Sequence, residues 1–345
     1  ALEPRVLRLP ATPVWPDDTL SIRHGAGLVD LQVRGNRLLV GARNWQAWYD
    51  LGSPVTPLWM AMTPVLMKDQ PGEVQLPGRW HPAVGRGRIY TRAGTNSMPS
   101  MVRAVDVETG LTAWETAVGR GEFHAIGSDP VVAGSCVYYM ELAGQKGNHG
   151  NSRLDVVCVA ADDGAPVWRA TVGDPAADTP AGQLLRSLPL SARLRGNGLT
   201  VSDGAVYCSG PGIAARFDAR DGRAEWVRTC RVGIAMSKLI RSGLSEPLGG
   251  APIIAGDRAV FAAQDGAGLY CVDLQTGRLL WDQAFVQPLD MAGATKETVV
   301  VRTMNGLAGV ALGTGAVVWN VPFEQDFVGR CTLRGSVITV GLSDA

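Results

Sequence analysis

Seven of the ten tryptophans in this chain close copies of one short pattern. Two copies are clear: Val105-Asp106-Val107-Glu108-Thr109-Gly110 precedes Trp114, and Val272-Asp273-Leu274-Gln275-Thr276-Gly277 precedes Trp281. Three are looser: Ala160 to Gly164 before Trp168, Asp218 to Gly222 before Trp226, and Ala311 to Gly315 before Trp319. In all five, Trp follows the turn glycine by four residues. A degenerate copy ends at Trp59, and Pro13-Val14-Trp15 matches Pro166-Val167-Trp168. Self-similarity at a fixed period dictates a repeat architecture, because one such unit cannot bury its own apolar face.

The same order recurs upstream of each Trp. A short apolar run comes first, as in Arg88-Ile89-Tyr90, Val206-Tyr207-Cys208 or Val299-Val300-Val301. A loop and a second run follow, such as Leu269-Tyr270-Cys271-Val272, and then the Asp-x-x-Thr-Gly turn. Short β-branched and aromatic runs divided by Gly and Asp are strand and hairpin signals. From Trp59 to Trp319 the spacings are 55, 54, 58, 55 and 38 residues. A four-stranded propeller blade takes about 40–50 residues. Long helical patterns are absent.

The two ends complement each other. Gly335 to Val340 read as the first half of a unit, and Val6 to Trp15 as the second half. One blade shared by both termini would remove exposed sheet edges. The expectation is an all-β, closed β-propeller of four-stranded blades. It has seven blades, with eight as the alternative, and forms one domain over residues 1–345. The chain starts at Ala1 without Met, so a processed or excised piece is expected, with any targeting signal outside it.

Composition excludes some partners. Lys and Arg number 32 and Asp and Glu also 32, so no basic field exists to neutralise phosphates and nucleic acid is not expected. No apolar run approaches the roughly 18 residues of a membrane helix. The six cysteines are Cys136, Cys158, Cys208, Cys230, Cys271 and Cys331. Four sit in apolar strands at spacings unlike a metal site, and buried free thiols are expected.

The Ala/Val-x-Asp-x-x-Thr-Gly-x-x-x-Trp pattern resembles the tryptophan-docking repeat of the PQQ-like β-propellers. That superfamily includes quinoprotein alcohol dehydrogenases and BamB-like outer-membrane assembly lipoproteins. The resemblance covers nearly the whole chain. It implies that Trp15, Trp59, Trp114, Trp168, Trp226, Trp281 and Trp319 pack between blades. For the quinoprotein enzymes it implies vicinal cysteines, a calcium-binding Glu/Asn pair and a catalytic Asp. No two cysteines here are adjacent, so PQQ is not expected as a cofactor and no metal is assigned.

In a propeller, the D-to-A and B-to-C connections lie on one face and the tight C-to-D turns on the other. The long irregular segments 60–79, 172–195 and 231–249, read as D-to-A loops, and 143–153, read as a B-to-C loop, therefore share a face. Function concentrates in such loops. Asp30, His81 and Asp129 fall near the starts of channel-lining strands, each eight residues before Leu38, Ile89 and Val137. Asp290 and Asp326 hold similar places. Such a ring would suit a cation or a polar ligand, or serve as solvated mouth residues. His24, His124 and His149 form no metal spacing. Trp45 and Trp48 lie in a B-to-C hairpin on the same face, either exposed to stack on a sugar or peptide or packed between blades.

The function expected is a non-catalytic, extracytoplasmic binding or assembly scaffold, periplasmic or secreted by resemblance. Its partner is a protein or a small polar ligand at the long-loop face, and the chain is a monomer or a module of a larger protein. The alternatives are an enzyme, either a divergent quinoprotein oxidoreductase or a hydrolase or lyase at the channel mouth, and a sensor module of a receptor-type protein.

Overall fold

The computed structural model describes residues 30–41, 45–50, 52–62, 81–93, 101–116, 122–145, 148–188, 190, 193, 197–230, 250–262, 268–284, 290–303, 306–323, 327–334 and 337–342. These form seven antiparallel sheets, the blades of a β-propeller. Blade 1 holds β1 (Asp30–Arg34), β2 (Arg37–Gly41), β3 (Trp45–Asp50) and β4 (Ser53–Met62). Blade 2 holds β5 (Ala83–Gly85), β6 (Arg88–Ala93), β7 (Met101–Asp106) and β8 (Thr112–Glu115). Blade 3 is enlarged: β9 (Glu122–Ile126) joins β10 (Val131–Ala133), β11 (Cys136–Gln145), β12 (Asn148–Ala160) and β13 (Pro166–Gly173). A helix, α1 (Pro180–Ser187), follows it. Blade 4 holds β14 (Gly198–Ser202), β15 (Ala205–Gly210), β16 (Ile213–Asp218) and β17 (Ala224–Thr229). Blade 5 holds β18 (Ile253–Ala255), β19 (Arg258–Ala262), β20 (Gly268–Asp273) and β21 (Leu279–Ala284). Blade 6 holds β22 (Asp290–Ala294), β23 (Thr298–Thr303), β24 (Gly306–Ala311) and β25 (Val317–Pro322). Blade 7 shows β26 (Phe327–Arg334) and β27 (Val337–Leu342).

Consecutive first strands neighbour one another from β5 through β10, β14, β18 and β22 to β26, and β26 also lies beside β1. The outer strands proposed for the last blade, residues 6–15, lie outside the described residues.

The repeated turn explains itself chemically. In blade 2 the Asp106 carboxylate accepts from Glu108 N at 3.1 Å and from Thr109 N and Oγ1 at 2.9 Å each. Gly110 then adopts φ +71 and its N–H donates to Asp106 O at 2.9 Å. Blade 5 repeats this with Asp273, Thr276 and Gly277. These hydrogen bonds to the charged form hold the Asp106 and Asp273 carboxyls below the usual range. In blade 4 the looser turn uses Arg220, whose side chain and N–H hold Asp218 down to about 2. A depressed carboxyl contributes stability that is present above its unfolded value and lost as pH falls toward the folded one. Asp218→Asn should therefore destabilise the protein at neutral pH, and that difference from wild type should vanish as pH falls to about 2. Denaturant melts of both proteins across this range check it; a difference independent of pH would contradict the assignment.

Each turn is followed by a β-bulge immediately before the Trp. Ala104 pairs with Trp114 but Val105 with Thr112, and the same one-residue slip recurs before Trp59, Trp168, Trp226, Trp281 and Trp319. A bulge re-aims the side chain beside it. The extra residue is pushed outward, which explains why Leu58, Val167 and Val318 are exposed large hydrophobics. The Trp turns toward the next blade. There Trp59, Trp114, Trp168, Trp226 and Trp281 donate Nε1–H to the carbonyls of Val107, Ala161, Ala219, Leu274 and Leu312 at 2.7–3.2 Å.

That carbonyl is a hub. Ala161 O also accepts from Arg88 Nη1 at 2.7 Å and Tyr90 Oη at 3.2 Å, and Leu312 O from Arg258 Nη1 at 2.7 Å. The indole ring lies on the next blade's turn glycine. A Cβ on Gly164 would sit 2.6 Å from Trp114 Cε3, and its φ of +74 independently favours glycine. Apolar clusters fill each joint between blades, from Leu39, Trp48, Ile89 and Val105 at the first to Val300, Leu307 and Cys331 at the last described. The core is therefore a series of blade-to-blade contacts.

Candidate functional site

Asp30, His81, Asp129 and Asp290 stand at or just ahead of the first strands of their blades. Ala83 pairs with Tyr90 and Val131 with Tyr138, which puts His81 and Asp129 two residues ahead of those pairs. Asp30 opens β1 opposite Gly41, and Asp290 opens β22 opposite Arg302. The structure brings His81 and Asp129 together: His81 N–H donates to Asp129 Oδ1 at 3.1 Å across the joint between blades 2 and 3. Arg92 lies buried in the same place and donates Nη1–H to Ile126 O at 2.7 Å. Burial lowers its pKa to about 10, and the Asp129 charge opposes that shift. Gln46 Nε2 donates to Thr91 Oγ1 at 2.8 Å, which ties blade 1 to blade 2 beneath it. Asp290 is buried, and its Oδ1 accepts from Met291 N at 2.9 Å. Both carboxylates accept from backbone, Asp129 across the joint between blades 2 and 3 and Asp290 within β22. Asp326 and His24 lie outside the described residues, as do the side chains of Asp30 and His149. Among the described residues no three His, Cys, Asp or Glu side chains gather as a metal site.

Of the two readings of Trp48, the structure shows packing between blades: it is buried at 4% exposure, packed with Leu39, Ile89 and Val105 and partnered across the ladder by Trp59, so it offers no stacking surface. Trp45 opens β3 opposite Met62, and its side chain lies outside the described residues. Trp319 packs in the last joint with Leu333, Ile338 and Val340. Trp15 lies outside the described residues.

Two segments read as loops are built structure. Residues 143–145 and 148–153 belong to a ribbon in which β11 and β12 continue pairing to Gln145 opposite Asn148. β9 adds to the far half of β11, with Ile126 opposite Glu141 and Glu122 opposite Gln145. Residues 172–195 contain α1. Thr179 caps it by accepting from Gly182 N at 3.1 Å, with Pro180 in the first turn. Leu185 of α1 packs so closely on β13 that a Cβ at Gly173 would lie 2.7 Å from its Cδ1. The other two segments, 60–79 and 231–249, lie almost wholly outside the described residues.

This arm carries a charge cluster that the sequence reading missed. Glu141 and Asp155 are buried at 3% and 0% exposure. Arg169 pairs with both, reaching Asp155 Oδ2 at 3.3 Å. Arg153 Nε donates to Asp155 Oδ2 at 2.8 Å, Thr171 Oγ1 to Asp155 Oδ1 at 2.9 Å, and His124 Nδ1 lies 3.1 Å from Glu141 Oε1. Buried carboxylates persist only when paired and hydrogen-bonded. The cluster therefore pins β9, β11, β12 and β13 to one another. Its available signal was two acidic residues at apolar-facing positions of two long apolar runs. The tip it supports exposes Gln145, Asn151 and Arg153.

A family model described as outer membrane protein assembly factor BamB matches residues 99–284 and, overlapping, 237–340. The chain belongs to the BamB family. The outer membrane protein assembly factor BamB of Burkholderia pseudomallei (strain K96243) is 26% identical over 273 residues, covering 71% of this chain and 59% of the relative. This BamB-family chain thus spans less than two thirds of that relative's length. The crystal structure of BamB from Moraxella catarrhalis matches with a TM-score of 0.58 at 16% identity, over 91% of this chain and 82% of that one. That likeness shows the propeller fold. A quinohemoprotein alcohol dehydrogenase from Comamonas testosteroni matches at a TM-score of 0.47 and 12% identity, over 88% and 68%, too distant to carry an argument. No helix among the described residues of this BamB-family chain is long and apolar enough to cross a membrane.

Proposed function

We propose that this chain is a non-catalytic, extracytoplasmic binding scaffold for outer membrane protein assembly, acting through the long-loop face and above all the blade 3 arm. Membership of the BamB family carries the reading. The arm supports it locally, because it departs furthest from the repeat and is held rigid by its own buried cluster. A rigid scaffold presenting an exposed polar tip suits recognition of a protein partner. Loss of the gene should lower the amount of β-barrel protein in the outer membrane, and restoring it should recover that amount. Unchanged levels would overturn the reading. No PQQ-dependent oxidation is expected. Incubation with PQQ and calcium and an alcohol should give neither stoichiometric cofactor binding nor turnover, and either result would favour an enzyme.

A further inference from the structure

Cys136 stands where other blades place a latch. Ala133 pairs with Cys136 as Gly85 pairs with Arg88 and Ala255 with Arg258. Arg88 and Arg258 each donate to the hub carbonyl of the next blade. At the joint between blades 3 and 4 the hub, Ala219 O, accepts instead from Trp168 Nε1 at 2.9 Å and Tyr138 Oη at 3.3 Å.

Across the β11–β12 ladder Cys136 faces Ala160 and Tyr138 faces Cys158. Alternate residues share a face of a strand, so Cys136 and Cys158 are diagonal neighbours on the face toward blade 4. Both belong to the apolar cluster of that joint, with Tyr138 and Trp168. Cys136 is partly exposed and Cys158 fully buried. Burial first, and then a hydrogen bond with Cys136 that puts the two thiols within reach of each other, pushes the Cys158 thiol well above the ordinary range, so Cys158 is not the group that meets an outside disulfide.

We propose that Cys136 and Cys158 form a redox-active pair in which Cys136 meets an incoming disulfide and Cys158 resolves it. The Cys136 thiolate attacks one sulfur of a small or protein disulfide, forming a mixed disulfide and releasing one thiol. Cys158 then attacks Cys136 Sγ, forming the internal disulfide as the bond from Cys136 to the outside sulfur breaks, and its proton passes to the departing thiolate, which leaves as the second thiol. Two protein thiols are oxidised, and one disulfide is reduced to two thiols. Diagonal neighbours in a ladder have Cα atoms about 7–8 Å apart, against about 4.4–6.8 Å in a relaxed disulfide. Closure therefore shears β11 against β12, and the bond belongs to the easily reduced kind. The shear acts beside Tyr138 and Trp168, which donate to Ala219 O of blade 4.

The test uses the whole chain. The native protein is equilibrated with oxidised glutathione, remaining thiols are blocked, and tryptic peptides are mapped without reduction. The expected result is a bridge between peptides 121–146 and 154–169, with free thiols falling from six to four. Dithiothreitol should restore all six thiols. Cys158→Ser should stop at glutathione on Cys136. Six free thiols, a wild-type protein halted at the mixed disulfide, or a bridge to another cysteine would each overturn the proposal; because the mapping is done on the native sequence, a misfolded variant does not obscure it.

Discussion

Replacing Trp114 with alanine is expected to cost about 3–5 kcal/mol, the range for truncating a large aromatic in a packed interior. The ring is 8% exposed, 5.8 Å from Tyr90 by centroids, and seated on Gly164 of the next blade. Alanine leaves a cavity at the joint and strips one donor from Ala161 O, which keeps Arg88 and Tyr90. Trp114→Phe should cost less, since most of the ring volume survives and one hydrogen bond is lost, worth about 1 kcal/mol. Denaturant unfolding of the two variants measures this. Losses below about 1 kcal/mol for alanine would mean that the joint does not depend on the docked indole.

Arg169→Ala is expected to cost about 1–3 kcal/mol, because it removes the cation that buried Glu141 and Asp155 share while each keeps another partner. Glu141 would retain His124, and Asp155 would retain Arg153 and Thr171. Arg153→Ala should cost much less, since Arg153 is the more exposed cation, at 47% against 36% for Arg169. The loss should be local as well as global: amide exchange in β9 should rise in Arg169→Ala before exchange in blades 5 and 6 does. Equal effects from the two arginines would show that Arg169 is not the keystone of the arm.

The repeat was legible because its determinants are local. Asp106, Thr109, Gly110 and Trp114 lie within nine residues, and the bonds that fold them are made among themselves. The equivalence of His81 and Asp129 was readable as a fixed offset from Ile89 and Val137, but not the hydrogen bond between them, which spans two blades. Trp48 stays open between exposure and packing in the sequence because nothing local distinguishes an exposed aromatic from one buried opposite Trp59 on the neighbouring strand. The bulge before each Trp left no mark beyond an unexplained apolar residue such as Val167. The arm was the least visible part. β9 is five residues with no strong alternation, and α1 is eight residues, too short to form alone. Both exist because tertiary contacts hold them, β9 against β11, and α1 against β12, β13 and β17 of the next blade.

The proposed function requires that the long-loop face of this BamB-family propeller meet a protein partner through the blade 3 arm. The most direct measurement is crosslinking in the native cell from a photoreactive residue placed at exposed Gln145 or Asn151, against the same residue at exposed Thr109 or Thr276 on the tight-turn face. Crosslinks from the arm to a component of outer membrane protein assembly, and none from the turns, are the predicted result. Crosslinks from the turn face alone, or an arm that meets no such component while the protein is folded, would contradict it.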